Sequence, residues 1–226
     1  MLVLAIDTTA VAASVALVDD NGIIAVFNVN NKLTHSQKLL PMIDSVISQA
    51  GYDIKDIDLF AVSAGPGSFT GVRIGISAIK GLAFSQDIPC VSVSSVEALA
   101  YMNRNCGAVI CSVMDARRDE YYNALFDSEF NRICEDRAIS APELEEQLSN
   151  YDRVILNGDG AVKFYDWLDG RLPGVFLSGE VTMLQNAGSV GLCAMRKYKN
   201  GEYVSSFELT PFYLRKPQAE REYKEK

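Results

Sequence analysis

Apolar positions in the first hundred residues alternate between short strand-like runs and helical stripes. Residues 2–6 form an apolar run that stops at Asp7, and residues 14–18 repeat it after Thr8-Thr9-Ala10-Val11. Asp19-Asp20-Asn21-Gly22 then predicts a hairpin, because Asn-Gly supplies the positive φ angles of a type I′ turn. Residues 23–28 complete a three-stranded meander. Next, Thr34 and Gln37 have the T-x-x-Q spacing of a capping box. Behind them Leu39, Leu40, Met42, Ile43, Val46, Ile47 and Ala50 share one helical stripe, and Gly51 stops the helix. Residues 59–64 read as a strand, 65–71 as a glycine-rich turn, 72–84 as a helix and 89–93 as a further strand. Ser94 and Glu97 open another helix toward Tyr101.

The second half starts again in the same way. Residues 108–114 are apolar and end at Asp115, 120–126 form an aromatic-rich strand, and 132–136 read as a third strand. Asp7 to Asp19 spans 12 residues, and so does Asp115 to Asp127. Two meanders with one spacing predict duplication of a single unit. The expected fold is therefore α/β with two similar lobes, residues 1–104 and 105–218, followed by a charged tail at 219–226. Ser140-Ala141-Pro142-Glu143 starts a helix, 154–156 form a strand leading to Asn157-Gly158-Asp159-Gly160, and 186–199 form a helix. That last helix ends in cations before Asn200-Gly201, which suits a helix C-terminus, and it is a candidate to pack back on the first lobe.

Composition narrows the chemistry. The chain has 226 residues, a net charge of −8, five cysteines and one histidine. No apolar run approaches the ~18 residues of a spanning helix. The first twenty residues lack Lys and Arg, so no secretory leader and a cytoplasmic location are expected. The cysteines contain no C-x-x-C pair, which argues against a disulfide framework or zinc finger. An acidic chain is also poorly suited to grip nucleic acid unaided.

Four features carry candidate chemistry. The G-x-G-x-x-x-G loop fits neither the dinucleotide fingerprint nor a Walker A loop. It reads equally as an anion site before a helix or as a tight turn with close packing. Asp7 reads either as a carboxylate beside a nucleotide's Mg²⁺ or as the start of an Asx turn. The matching Asp115 is followed by Ala116-Arg117-Arg118, with no glycine to admit a phosphate. His35, expected to lie exposed in the first turn of its helix, has Leu39 four residues on and so lacks a metal-binding partner. Finally, the helix after the loop is apolar around most of its circumference, leaving Arg73, Ser77 and Lys80 on a narrow strip. Either its own lobe covers both sides, or it forms an interface at which small Gly75 and Ala78 admit another helix.

Leu4-Ala5-Ile6-Asp7-Thr8-Thr9 is similar to an L-A-I-D-T-S opening. Gly65-Pro66-Gly67-Ser68-Phe69-Thr70-Gly71-Val72-Arg73-Ile74-Gly75 resembles G-P-G-S-F-T-G-L-R-I-G, with Val72 in place of Leu. With His35-Ser36-Gln37 and Pro211-Phe212-Tyr213-Leu214-Arg215, these segments resemble the bacterial TsaB (YeaZ) family over nearly the whole chain. The resemblance implies a duplicated actin-like, Hsp70-like and sugar-kinase-like (ASKHA) fold. It also implies a non-catalytic role, as scaffold and activator, in making N6-threonylcarbamoyladenosine in tRNA. The implied partners are the catalytic paralogue TsaD, bound through N-lobe helices, the ATPase TsaE, and a second copy of the chain when alone. Contact with tRNA is then indirect, and membranes play no part. No catalytic residue, metal or intrinsic cofactor is expected, since ATP and threonylcarbamoyl-AMP belong to the partners. The candidate interface is Leu39, Met42, Ile43, Val46, Arg73, Ile74, Gly75, Ala78, Ile79 and Leu82. Asp7, Thr8, Gly65, Gly67, Ser68, Thr70 and Gly71 are candidates for a remnant anion or nucleotide site. The competing function is an ATP-dependent kinase or ATPase of the same superfold.

Overall fold

The computed structural model describes residues 1–31, 34–84 and 86–215. The tail expected at 219–226 lies outside the described residues. The first sheet holds strands β1 (Val3–Asp7), β2 (Ala13–Asp19), β3 (Gly22–Val29), β4 (Leu59–Gly65) and β5 (Cys90–Ser94), in the order β3-β2-β1-β4-β5. The second holds β6 (Val109–Asp115), β7 (Glu120–Phe126), β8 (Arg137–Ser140), β9 (Val154–Asn157) and β10 (Val175–Leu177), in the order β10-β9-β6-β7-β8. Numbered within each lobe, both sheets run 3-2-1-4-5. In each, the first three strands are antiparallel and the fourth and fifth add in parallel. That identity of order is the duplication.

The two-residue period of β1 and β4 sorts the core. Leu4, Ile6, Phe60 and Val62 face helices α1 (His35–Gln49) and α2 (Phe69–Phe84). Val3, Ala5, Leu59 and Ala61 face the opposite side, toward α3 (Ser95–Tyr101) and a helix near the C-terminus. Strands buried on both faces must read as unbroken apolar runs, and these do. The layer with α3 also takes Ile110, Met114, Ala124 and Phe126 from the second sheet, so one core cluster joins the lobes. The far face of the second sheet is covered by α4 (Ala141–Leu148) and α5 (Ala161–Leu168), through Leu144, Leu148, Phe164 and Leu168. A short helix α6 (Glu180–Met183) leads to α7 (Ala187–Lys199). Among the described residues no helix is long and apolar enough to cross a membrane.

Helix α7 and the chain beyond it as far as Phe212 pack on the first lobe. Gly188 and Gly191 bring α7 against Ile23 and Val18, where a Cβ at either glycine would approach to 2.6 Å. Beyond α7 the backbone returns as a strap. Val204 and Cys90 exchange two hydrogen bonds of 2.9 Å, and Phe212 N–H donates to Ala64 O at 2.8 Å. Lys80 Nζ donates to Phe207 O at 3.1 Å, and Leu209 enters the core beneath α2.

Local expectations fared unevenly. The hairpin at Asp19–Gly22 is not type I′: only Gly22 has positive φ (131°), while Asp19 Oδ1 accepts from Asn21 N–H at 2.8 Å. Thr34 makes no side-chain cap, so the first capping box is absent. Ser94 does accept from Glu97 N–H (3.2 Å), but the Glu97 carboxylate turns to Arg132 and Lys197. At Ser140 the box closes, with Glu143 Oε2 accepting from Ser140 N–H at 3.1 Å. The third strand of the second meander begins at Arg137, not at 132. Ahead of it the chain keeps one antiparallel bridge, Phe126 to Arg132, and Ile133 N–H donates to Leu125 O at 2.8 Å. Arg132 pairs with Asp136 and lies 4.7 Å over the Phe126 ring. Helices α5 and α6 and strand β10 were not foreseen, being too short to show periodicity.

The apolar circumference of α2 is filled mainly from within. Leu39, Met42, Ile43, Val46 and Ile79 are 0–4% exposed and pack under α1 and α2, and Gly75 is also buried. These six candidate interface residues are core residues. Gly75 does not admit a foreign helix either, since its missing Cβ makes room for Thr8 Oγ1, which would lie 2.7 Å away. The expected result is that Ile79→Ala costs about 3 kcal/mol in chemical denaturation. Leu40→Ala, at a position 57% exposed on the same helix pair, should stay within about 0.5 kcal/mol of the parent.

Candidate functional site

The C-terminal ends of β1, β4, β6 and β9 point toward one another across the lobes, where open α/β sheets present their ligand crevices. The cleft there has a volume of about 450 Å³. Gly67, Ser68 and Thr70 line one wall, Asp115, Arg117 and Arg118 the other, with Asp159 and Arg215 between them. Sequence reasoning had not singled out Asp159 or Arg215 as site residues. Arg215 arrives on the strap, and no local pattern announces where a strap will end.

Asp7 is fully buried and does not line the cleft. Its Oδ1 accepts from Thr9 N–H at 2.8 Å and from Thr9 Oγ1 at 2.6 Å, which is an Asx turn. Burial pushes its carboxyl above the usual carboxylate range, opposed in part by the Thr9 hydrogen bonds. The Asx-turn reading of Asp7 is thus realised through Oδ1. His35 is half-buried rather than exposed. Its Nε2 lies 2.7 Å from Ala10 O, so it fastens α1 to the segment after Asp7. Among the described residues no three His, Cys, Asp or Glu side chains converge on a point that could hold a metal ion.

The glycine loop is packed against its own chain. A Cβ on Gly67 would collide with Thr9 O, one on Gly71 with Thr8 O, and one on Gly65 with Phe212 O. Thr8 Oγ1 donates to Gly71 O (2.7 Å), Ser68 N–H donates to Thr9 O (2.7 Å), and Gly71 N–H donates to Ser68 Oγ (3.3 Å). The Thr8-Thr9 backbone thus lies where a Cβ at Gly67 or Gly71 would stand. Of the seven remnant candidates, Gly67, Ser68 and Thr70 reach the cleft, whereas Asp7, Thr8, Gly65 and Gly71 lie behind it.

The opposite wall is equally occupied. Gly158 and Gly160 give room to the Val113 carbonyl and to the Met114–Asp115 backbone. Arg117, Arg118 and Asp119 all adopt left-handed φ angles (62°, 57° and 57°), each costing roughly 1 kcal/mol or more for a residue with a Cβ. Asp115 Oδ1 steadies this turn by accepting from Arg117 N–H at 2.8 Å, and Lys163 lies 3.7 Å from both Asp115 and Asp119. Arg215 donates to Ala116 O at 2.7 Å and pairs with Glu120, so the strap crosses from the first lobe to the second at the cleft mouth.

A second concavity lies between α1 and α2 on the first lobe. It has a volume of about 530 Å³ and is lined by Ser36, Leu39, Leu40, Thr70, Arg73, Ile74, Ser77 and Ala78. Arg73, Ile74 and Ala78 are thus the candidate interface residues that reach a surface groove, with Leu39 beneath them and Leu82 half-buried further along α2. Arg73 is held there by Tyr213, whose hydroxyl accepts from Arg73 Nε at 2.8 Å, and Tyr213 in turn packs on Phe69 at 4.8 Å.

Two measurements check this account. Gly71→Ala should cost at least about 3 kcal/mol or abolish folding, because its neighbour is backbone that cannot yield. Gly81→Ala on the same helix has open space and should gain about 0.5–1 kcal/mol in denaturant melts. Burial pushes the Asp159 carboxyl up to about 6, against the Asp115 N–H that donates to it and with the Asp115 carboxylate adding to the rise. An acid raised on folding binds more protons in the native state, so its contribution to stability is lost as pH rises from about 4 to about 6. Asp159→Asn should therefore gain stability over the parent through that window and level off above it. The side chain keeps an exposed edge, which limits the plateau to about 1 kcal/mol.

Residues 30–220 match the family profile described as TsaD, tRNA N6-adenosine threonylcarbamoyltransferase. The chain is 33% identical to the tRNA threonylcarbamoyladenosine biosynthesis protein TsaB of Escherichia coli (strain K12) over 95% of both chains. It is 34% identical to the protein of that name from Bacillus subtilis (strain 168) over 69% of both. YeaZ from Pseudomonas aeruginosa superposes with a TM-score of 0.80 at 28% identity, covering 94% of this chain and 99% of that one. The ROK hexokinase of Thermus thermophilus, at 11% identity and a TM-score of 0.52 over 88% of this chain and all of that one, shares the fold alone. On the strength of sequence and fold together, this duplicated actin-like and sugar-kinase-like chain belongs to the TsaB family.

Proposed function

We propose that the chain is a non-catalytic scaffold and activator in the making of N6-threonylcarbamoyladenosine in tRNA, the process named for its relatives. One observation carries the non-catalytic part: the Thr8-Thr9 backbone fills the space in the glycine loop that a phosphate would need. A kinase or ATPase reading requires that space. In the proposal a TsaD-type transferase docks on the α1–α2 groove, and a TsaE-type ATPase joins the assembly. The chain pairs with itself when alone, and tRNA is reached mainly through the transferase. The chain works in the cytoplasm with no cofactor of its own, ATP and threonylcarbamoyl-AMP being handled by the partners. The groove suits such docking because its floor is apolar while Arg73 and Ser77 give its rim polarity.

Light scattering of the chain mixed with its TsaD-type partner tests the groove. Ile74→Glu and Ala78→Glu should each weaken the complex by at least about tenfold, roughly 1.4 kcal/mol, without lowering the melting temperature by more than a few degrees. Unchanged binding by both folded variants would remove the groove from the interface. Reconstituted tRNA modification should fall sharply when the chain is left out. Titration with Mg-ATP in a calorimeter should give no binding heat, and micromolar binding lost in Asp7→Ala would restore the kinase reading.

A further inference from the structure

A cluster of aromatic rings and guanidinium groups lies at the C-terminal ends of α3 and α7, on the other side of the first sheet from the α1–α2 groove. Tyr101 and Phe130 meet edge to face at 5.1 Å, and Phe130 stacks on Phe126 at 5.0 Å. The Arg104 guanidinium lies 4.0 Å from the centre of the Tyr101 ring, and its Nη1 donates to Tyr101 O at 2.9 Å. Arg196 comes from the neighbouring helix, 5.9 Å from the Tyr101 ring and 5.2 Å from that of Phe130. Both arginines are exposed, and among the described residues neither forms an ion pair.

Three nearby carboxylates, those of Glu97, Asp136 and Glu202, are engaged with other groups. Glu97 and Asp136 pair with Arg132, and Lys197 lies between Glu97 and Glu202. In a chain of net charge −8, two guanidinium groups thus share one aromatic ledge with no salt bridge among the described residues. A ring beneath a guanidinium holds its plane and leaves its edge N–H donors directed outward, the geometry that suits phosphate oxygens.

We infer that Arg104 and Arg196, braced by Tyr101 and Phe130, bind the phosphodiester backbone of RNA. This rests on the proposed role in tRNA modification and deepens it. The sheet separates the ledge from the groove assigned to the transferase, so both can be occupied together. The acidic chain then adds a local two-point contact to an RNA held chiefly by its partner.

The test uses the complex of this chain with its TsaD-type partner and a fluorescently labelled tRNA, titrated by anisotropy at salt from about 50 to 200 mM. The R104Q/R196Q double variant should weaken tRNA binding about five- to tenfold at the middle of that range. Its log K against log salt slope should shrink by about 1.5, as the loss of two phosphate contacts requires. R104K/R196K, which keeps the charge, should retain most of the slope. Affinity and slope unchanged in R104Q/R196Q, with the complex and its melting temperature intact, would overturn the assignment. So would loss of transferase binding in that variant, which would make the ledge a protein contact. Displacement of the tRNA by inorganic phosphate at constant ionic strength as readily as by unlabelled tRNA would make it a free-anion site, and would also overturn it. The parent complex is assayed for tRNA modification in the same preparation. Failure there counts against the proposed function, whereas an active complex whose tRNA affinity ignores both arginines counts against the ledge alone.

Discussion

Two backbone carbonyls, those of Thr8 and Thr9, lie against glycines where any side chain would collide, and the rest of the first lobe is arranged around that contact. It sets how closely the start of α2 approaches the end of β1. Once Gly67, Gly71 and Gly75 are seated, Val72, Ile76 and Ile79 fall onto the sheet, and α2 lies beside α1 with the groove between them. The same contact consumes backbone donors in the loop. A helix N-terminus facing a cleft would ordinarily attract an anion, but here Ser68 N–H and Gly71 N–H are already committed within the chain. Two of the loop's N–H groups thus serve packing within the lobe.

The interlobe cleft shows a comparable substitution of internal for external partners. Asp115 supports the left-handed turn through Arg117, Arg215 bridges to Ala116 and Glu120, and Lys163 sits between two aspartates. Each is a charged group of the kind that serves a ligand in an open cleft, and each is answered from within the chain. These internal bridges hold the two lobes in a fixed relation across the cleft.

How much of this was legible in the sequence depended on the range of the interactions. Strands β1, β2 and β7 and helix α7 follow from local apolar patterns, and the repeated 12-residue spacing of aspartates anticipated two sheets of one order. Residues 132–136 read as a full strand, but their pairing with β7 is confined to one bridge and the Leu125 carbonyl, where Arg132 finds Asp136 and the Phe126 ring. The glycine loop could not be decided from sequence, since the atoms that fill it come from Thr8, Thr9 and Phe212, distant in the chain. For the same reason Gly75 read as a landing place for another helix. A missing Cβ shows that something comes close, and only the fold shows what. Nothing in the sequence around His35 announced its tie to the Ala10 carbonyl.

The route of the C-terminal strap bears on how the molecule is made. The first sheet draws α7, Leu209 and Phe212 from the far end of the chain, while the second sheet is built from one uninterrupted stretch between them. The second lobe is in effect an insertion within the first. During synthesis the inserted lobe has all its strands as soon as β10 leaves the ribosome. The first lobe must wait with one face of its sheet uncovered until α7 emerges, and its completion carries the loop-closure cost of contacts far apart in sequence. The lobe that begins first is therefore the one that finishes last, and its uncovered apolar face is the exposure that nascent-chain chaperones must guard.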